Sequence, residues 1–116
     1  LSTREGRHLP VKHCVRGTEG HELCPELRPY AERVIDKETF GSTALADVIR
    51  SDGEAIEEIV LLGLCTDICV ISNAMLLKAE FPETDITVVS SASAGVTPES
   101  HETALAAMRA VQINVI

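Results

Sequence analysis

A cysteine placed where a strand gives way to a helix is the first chemistry this sequence offers. Cys69 lies in the run Glu58-Ile-Val-Leu-Leu-Gly-Leu-Cys-Thr-Asp-Ile-Cys-Val-Ile-Ser-Asn-Ala74. Its first half, Ile59 to Leu64, is a short apolar run with β-branched residues and reads as a buried parallel strand. Thr66 and Asp67 are each able to cap a helix, and apolar residues at helical spacing continue to Ala79. Cys69 then falls in the first turn, where backbone N–H groups and the positive dipole end favour a thiolate and can hold an oxyanion. Two readings stand at this point: a nucleophile, or a buried and inert thiol.

Acyl transfer by a thiolate also needs a charged partner and an oxyanion site. Lys37 ends a brief strand candidate, Arg33 to Lys37, and so falls with Cys69 at the carboxyl end of the strands, where open parallel sheets place their sites. It is either that cationic partner or a solvated lysine at a strand end. The backbone N–H groups of Cys65 and Cys69 are the candidate oxyanion donors. Cys65 precedes Cys69 by four residues, which is not the C-x-x-C redox spacing. His13, Cys14, His21 and Cys24 match no standard zinc pattern, which argues against a closed structural site. His13 reads either as one ligand of a metal site completed from elsewhere or as a loop histidine with no ligand. His101 shares a helix face with Leu105 and Met108 and reads as a packing histidine.

The elements that would carry these residues alternate. Residues 1 to 28 are polar, broken by glycine and proline, and read as irregular loops, and Pro25 to Ala31 opens a short helix. Ser42 is placed to cap a helix through Ala44, Leu45, Val48 and Ile49 that ends at Asp52-Gly53. The acids at 54 to 58 form a solvated turn before the central strand. The Cys69 helix stops near Phe81-Pro82, a strand follows at Asp85 to Ser90, and Thr97-Pro98-Glu99 is a clean helix start. That helix runs to about Ala110, and Ile113 to Ile116 forms a last strand. Strand-helix alternation of this kind predicts one α/β domain with a parallel sheet and helices on both faces.

The 116 residues are 45% hydrophobic, enough for one core, and carry a formal net charge of −8. That charge argues against a nucleic-acid or anionic membrane partner, and 3% aromatic residues leave little for base stacking. No run is long enough to span a bilayer, and four cysteines without a framework suit the reduced thiols of a cytoplasmic protein.

Taken together, the segments resemble the isochorismatase-like cysteine hydrolases, and among them the nicotinamidases. Gly63-Leu-Cys-Thr-Asp-Ile-Cys-Val70 is similar to the family's nucleophile segment, and Asp36-Lys37 with Phe40-Gly41-Ser42 to the segment bearing its catalytic lysine. Leu9-Pro-Val-Lys-His13-Cys-Val15 with Gly17-Thr-Glu-Gly20 resembles the stretch around a metal-binding histidine. The resemblance implies a three-layer α/β/α Rossmann-like fold over residues 1–116, N-terminally incomplete. It implies Cys69 as nucleophile, Lys37 as its charged partner, His13 as a metal ligand, and Phe40 and Leu64 in the pocket. A non-proline cis peptide between Leu64 and Cys65 is also expected, turning the Cys65 and Cys69 N–H groups toward the oxyanion. The implied cofactor is a divalent zinc, manganese or iron ion, the implied substrate nicotinamide or a similar amide, and the implied assembly a homo-oligomer. The family's catalytic aspartate and remaining metal ligands fall ahead of Leu1, so the piece given is expected to be nearly inactive alone. His21 stands where close relatives carry a large aromatic residue. Hydrolysis of another small amide or a vinyl ether, and a non-catalytic binding domain, are the alternative functions.

Overall fold

The computed structural model describes residues 3–9, 11–52 and 55–116. Its internal contacts divide it into two units, Leu1–Asp36 and Lys37–Ile116.

In the first unit, short turns replace regular structure, as its glycines and prolines dictate. Helix α1 is one turn, Arg4–Arg7, capped by Thr3, whose hydroxyl accepts the Gly6 N–H at 3.1 Å. Two 3-10 turns follow, Glu19–His21 and Arg28–Tyr30. The second is all that forms of the short helix expected from Pro25. Residues 33 to 37 form no strand, which corrects the expectation from their apolar pattern. A strand persists only through a ladder with a neighbour, the described sheet is made of three later segments, and Val34 is 63% exposed. Lys37 therefore sits in a loop.

The second unit carries the sheet. Helix α2, Thr43–Arg50, leads to β1, Glu58–Leu64; a π-type turn, Thr66–Val70, runs into α3, Ile71–Glu80. Then come β2, Asp85–Ala94; α4, Pro98–Ala110; and β3, Asn114–Val115. All pairings are parallel and the order is β1-β2-β3, as the alternation of strands and helices required. Glu58 opens β1, where its carboxylate accepts the Thr87 hydroxyl at 2.9 Å, instead of ending a solvated turn. Of the residues expected to end α2, Gly53 lies outside the described residues.

Strand β2 runs four residues beyond its expected end and is irregular. Leu61 faces Val88 but Gly63 faces Ser93, so two steps along β1 match five along β2. Gly63 absorbs the irregularity at φ +119, a conformation that only glycine adopts readily. Helix α4 has the start its sequence promised: Thr97 and Ser100 form a reciprocal capping box with Pro98 in the first turn.

Helices α3 and α4 pack against each other and against β2. The core between them holds Ala74, Leu77, Ile86, Val88, Met108 and Ile113, each at most 2% exposed. Ile59 and Leu61 pack against that core, while Val60, Leu62 and Leu64 on the opposite face of β1 are exposed. Arg50 pairs with Glu80 and lies over the Phe81 ring at 5.1 Å, tying the end of α2 to the end of α3. Among the described residues no helix is long and apolar enough to cross a membrane.

Candidate active site

The turn that carries Cys69 begins at a backbone irregularity. The Leu64–Cys65 peptide is cis, as the resemblance implied. Past it the chain does not enter a regular α-helix: the Cys65 carbonyl accepts the N–H groups of Ile68 at 3.1 Å and Val70 at 3.0 Å. The five residues Thr66–Val70 form the π-type turn before α3 begins. Wide turns of this kind recur inside helices at functional sites.

Neither Thr66 nor Asp67 caps this helix, contrary to the sequence pattern; Cys65 occupies the cap position and makes no side-chain cap bond. Both side chains reach sideways instead. Thr66 is fully buried, and its hydroxyl lies 2.7 Å from Nδ1 of His101 on α4. The Asp67 carboxylate accepts the Val96 N–H at 3.2 Å, from the loop that joins β2 to α4. Partial burial pushes the Asp67 pKa up, but hydrogen bonds from the Ser100 side chain, the Val96 N–H and its own N–H outweigh it. With the nearby His101 adding to them, the carboxyl titrates below its ordinary 3.8. The packing role read for His101 thus has a definite content: it joins α4 to the cysteine turn.

Lys37, expected at the end of a strand, reaches the same place from a loop. Its Nζ lies 3.2 Å from the Cys69 sulfur and donates to the Thr39 carbonyl at 3.1 Å. An ammonium at that distance from a half-buried sulfur stabilises negative charge there, on a thiolate or on what a thiolate makes by attack. The loop can approach because Gly41 has no side chain: a Cβ there would lie 2.7 Å from Leu76 Cδ1 and 3.4 Å from Ser72 Cβ.

Asn73 fastens the two segments. Its Nδ2 donates to the Cys69 carbonyl at 3.0 Å and the Phe40 carbonyl at 3.3 Å, and its Oδ1 accepts the Ser42 N–H at 2.8 Å. Ser42 holds the cap position of α2, but its side chain makes no cap bond; its backbone is taken up by Asn73 instead. Asn73 was not among the residues picked out by chemistry. One signal was legible, since asparagine is a poor residue for a helix interior unless its side chain has a use.

The other expected site residues are placed less tightly. Phe40 contributes its carbonyl to Asn73, and Leu64 is 71% exposed. In the first unit His13 is exposed, its Nδ1 3.1 Å from the Val11 carbonyl. Among the described residues no three His, Cys, Asp or Glu side chains converge as metal ligands. His13 is therefore not in a group of the three or four ligands a zinc ion takes from a protein. His21 Nε2 lies 3.4 Å from Asp36. None of the four cysteines is in a disulfide. Two cavities of about 350 and 210 Å³ lie along α4, one lined by Asp67 and Ile71, the other by Gly95 and His101, and neither is lined by Cys69 or Lys37.

The parallel α/β sheet is the fold class the resemblance implied, and it carries a cysteine turn after its first strand, a cis peptide ahead of that turn and a lysine against the sulfur. The chain belongs to the isochorismatase family, whose domain model matches residues 2–116. It is similar to the nicotinamidase/pyrazinamidase of Bacillus subtilis, with 32% identity and a TM-score of 0.79 over 97% of this chain. An isochorismatase-like hydrolase of Alkaliphilus metalliredigens gives 28% identity and a TM-score of 0.79 over 98%. The pyrazinamidase of Pyrococcus horikoshii, solved in complex with zinc, gives 26% and 0.77 over 99%. The chain spans 65%, 62% and 66% of those three chains respectively.

Proposed function

We propose that the protein is an amidohydrolase that converts nicotinamide to nicotinate and ammonia through a thioester on Cys69. The observation that carries this is the 3.2 Å approach of the Lys37 ammonium to the Cys69 sulfur. The family match over residues 2–116 and the likeness to enzymes named nicotinamidase and pyrazinamidase support the class and the substrate. The same match supports reading residues 1–116 as part of one hydrolase domain.

In this reading the Cys69 thiol gives its proton to a general base, and the sulfur attacks the carboxamide carbon. The C=O π pair moves onto oxygen, and the resulting anion lies between the Lys37 charge and the N–H groups of Cys65 and Cys69. As the carbonyl re-forms, the C–N bond breaks, and the nitrogen takes the abstracted proton and leaves as ammonia. Water then adds to the thioester carbon, the C–S bond breaks, and nicotinate and the free thiol remain. Lys37 serves both steps by holding charge where it develops. Phe40 and Leu64 line the substrate side. Among the described residues His13 joins no group of three metal-ligating side chains.

The test is ammonia release from nicotinamide by the full-length gene product, with Cys69→Ala as control. Release that disappears in the variant is expected. A variant that kept a substantial fraction of the rate would rule out the covalent route. Silence of the folded wild-type protein would rule out nicotinamide as substrate.

A further inference from the structure

We propose that Asn73 is a positioning residue for the Lys37–Cys69 pair: one carboxamide fixes the loop that brings the ammonium against the turn that carries the sulfur. The inference rests on the thiolate–ammonium reading of that pair.

Every polar position of the side chain is directed at one of the two segments. The two Nδ2 contacts go to the Cys69 and Phe40 carbonyls and the Oδ1 contact to the Ser42 N–H. The orientation is unambiguous, because the flipped amide would set NH2 against N–H and oxygen against two carbonyls. Phe40 and Ser42 bracket Gly41, where the loop lies against Ser72 and Leu76 of α3. Lys37 is bound back onto its own loop through the Thr39 carbonyl. The position of its ammonium therefore follows the position of residues 39 to 42, and that is set from Asn73. The Cys69 carbonyl is held by the same amide. The loop and Asn73 are 31 to 33 residues apart in sequence, so no local preference of the chain would bring them together.

The experiment is a cycle read on the thiol and not on a substrate. The rate of Cys69 alkylation by iodoacetamide is followed by peptide mass spectrometry in the full-length protein, with exposed Cys14 as internal reference. The variants are Asn73→Ala, Asn73→Asp, Lys37→Ala and the double Asn73→Ala/Lys37→Ala. Asn73→Asp keeps the volume and the acceptor for Ser42 but turns a carboxylate onto two carbonyls. It decides the matter if the alanine variant does not fold.

Each single variant is expected to slow Cys69 roughly fivefold or more, the effect of one lost hydrogen bond, with Cys14 unchanged. The double variant is expected to be no slower than Lys37→Ala, because the asparagine acts through the lysine. A purely structural Asn73 would instead slow Cys69 by the same factor with or without Lys37, and that result overturns the inference. So does a wild-type rate in the Asn73 variants when Lys37→Ala is slow, which leaves the pair standing. No effect of Lys37→Ala would remove the pair and the inference together. An intact cycle with no ammonia release from nicotinamide would support the inference and strike only the substrate.

Discussion

Gly95 lies in the loop between β2 and α4, and its replacement by alanine probes how firmly the cysteine turn is held. A Cβ built on Gly95 lies 2.9 Å from the His101 backbone nitrogen and 3.0 Å from both its Cα and Cβ. None of these is the far end of a flexible side chain, so the strain cannot be relieved by a rotamer change. Opening the nearest contact to the 3.4 Å of ordinary van der Waals packing requires 3.4 − 2.9 = 0.5 Å of backbone movement. That movement separates the groups on which the turn depends: Val96 N–H to Asp67 at 3.2 Å, and His101 to Thr66 at 2.7 Å. Overpacking of this kind costs about 1–3 kcal/mol, and weakening two hydrogen bonds adds about 1 kcal/mol. Urea unfolding of Gly95→Ala should therefore show a loss of about 2–4 kcal/mol with the slope unchanged, and ammonia release should fall with it. A loss below about 0.5 kcal/mol, the range of ordinary surface substitutions, would mean that the loop shifts freely, and the idea that it braces the turn would have to be abandoned.

Thr66→Val leaves His101 Nδ1 without its partner in a partly buried setting and should cost about 1 kcal/mol. In a His101→Ala background that penalty should shrink, and an unchanged penalty would show that the hydroxyl does not act through the histidine. Asp67 has a folded pKa below the unfolded 3.8, so its contribution is present above pH 3.8 and is lost as pH falls through the lower folded value. Urea titrations on the acid side should accordingly slope less in Asp67→Asn than in the wild type; equal slopes would place the acid sensitivity elsewhere. Met108 is fully buried between α4 and the sheet, and Met108→Ala should cost about 2–5 kcal/mol by urea unfolding. A cost under about 1 kcal/mol would contradict the packing of α4 on the core.

The strands and the last helix were legible because their signals are local. Ile59 to Leu64 and Asp85 to Ser90 are apolar runs with β-branched residues that suit a parallel sheet, although Val60, Leu62 and Leu64 are exposed instead of buried, and Thr97 with Pro98 gives a helix start that needs no tertiary help. The errors share one cause. Arg33 to Lys37 has the composition of a strand, but a strand is made by its neighbour, and the residues form a loop. Thr66 and Asp67 have the chemistry of helix caps, yet each is taken by a distant element, Thr66 by α4 and Asp67 by the Val96 N–H, whereas Ser42 does hold the cap position of α2. A capping side chain competes between its own helix and any better donor or acceptor that folding brings near, and sequence order shows only the first of these. The same limit explains the candidate site. Cys69 was visible from its place in the chain, and Lys37 as a residue type; that the two meet at 3.2 Å, and that Asn73 fastens them, depends on contacts the sequence does not order.

The turn that carries Cys69 is held by more than its own backbone. The turn Thr66–Val70 is closed by the Ile68 and Val70 N–H groups bonding to the Cys65 carbonyl. Its neighbours supply the rest from two sides. Helix α4 and the loop before it hold Thr66 and Asp67 across 35 and 29 residues of sequence, and Asn73 holds the Cys69 carbonyl to the Lys37 loop across 31 and 33. Cys69 lies between these ties in sequence, two and three residues after Asp67 and Thr66 and four before Asn73. A disturbance of α4 should therefore move the turn as a whole, whereas a disturbance at Asn73 should change the distance between sulfur and ammonium. The first lowers stability and turnover together; the second acts on thiol reactivity with the core intact. Stability and alkylation rate should thus separate the Gly95 and Asn73 variants, a distinction that a site resting on one rigid helix would not produce.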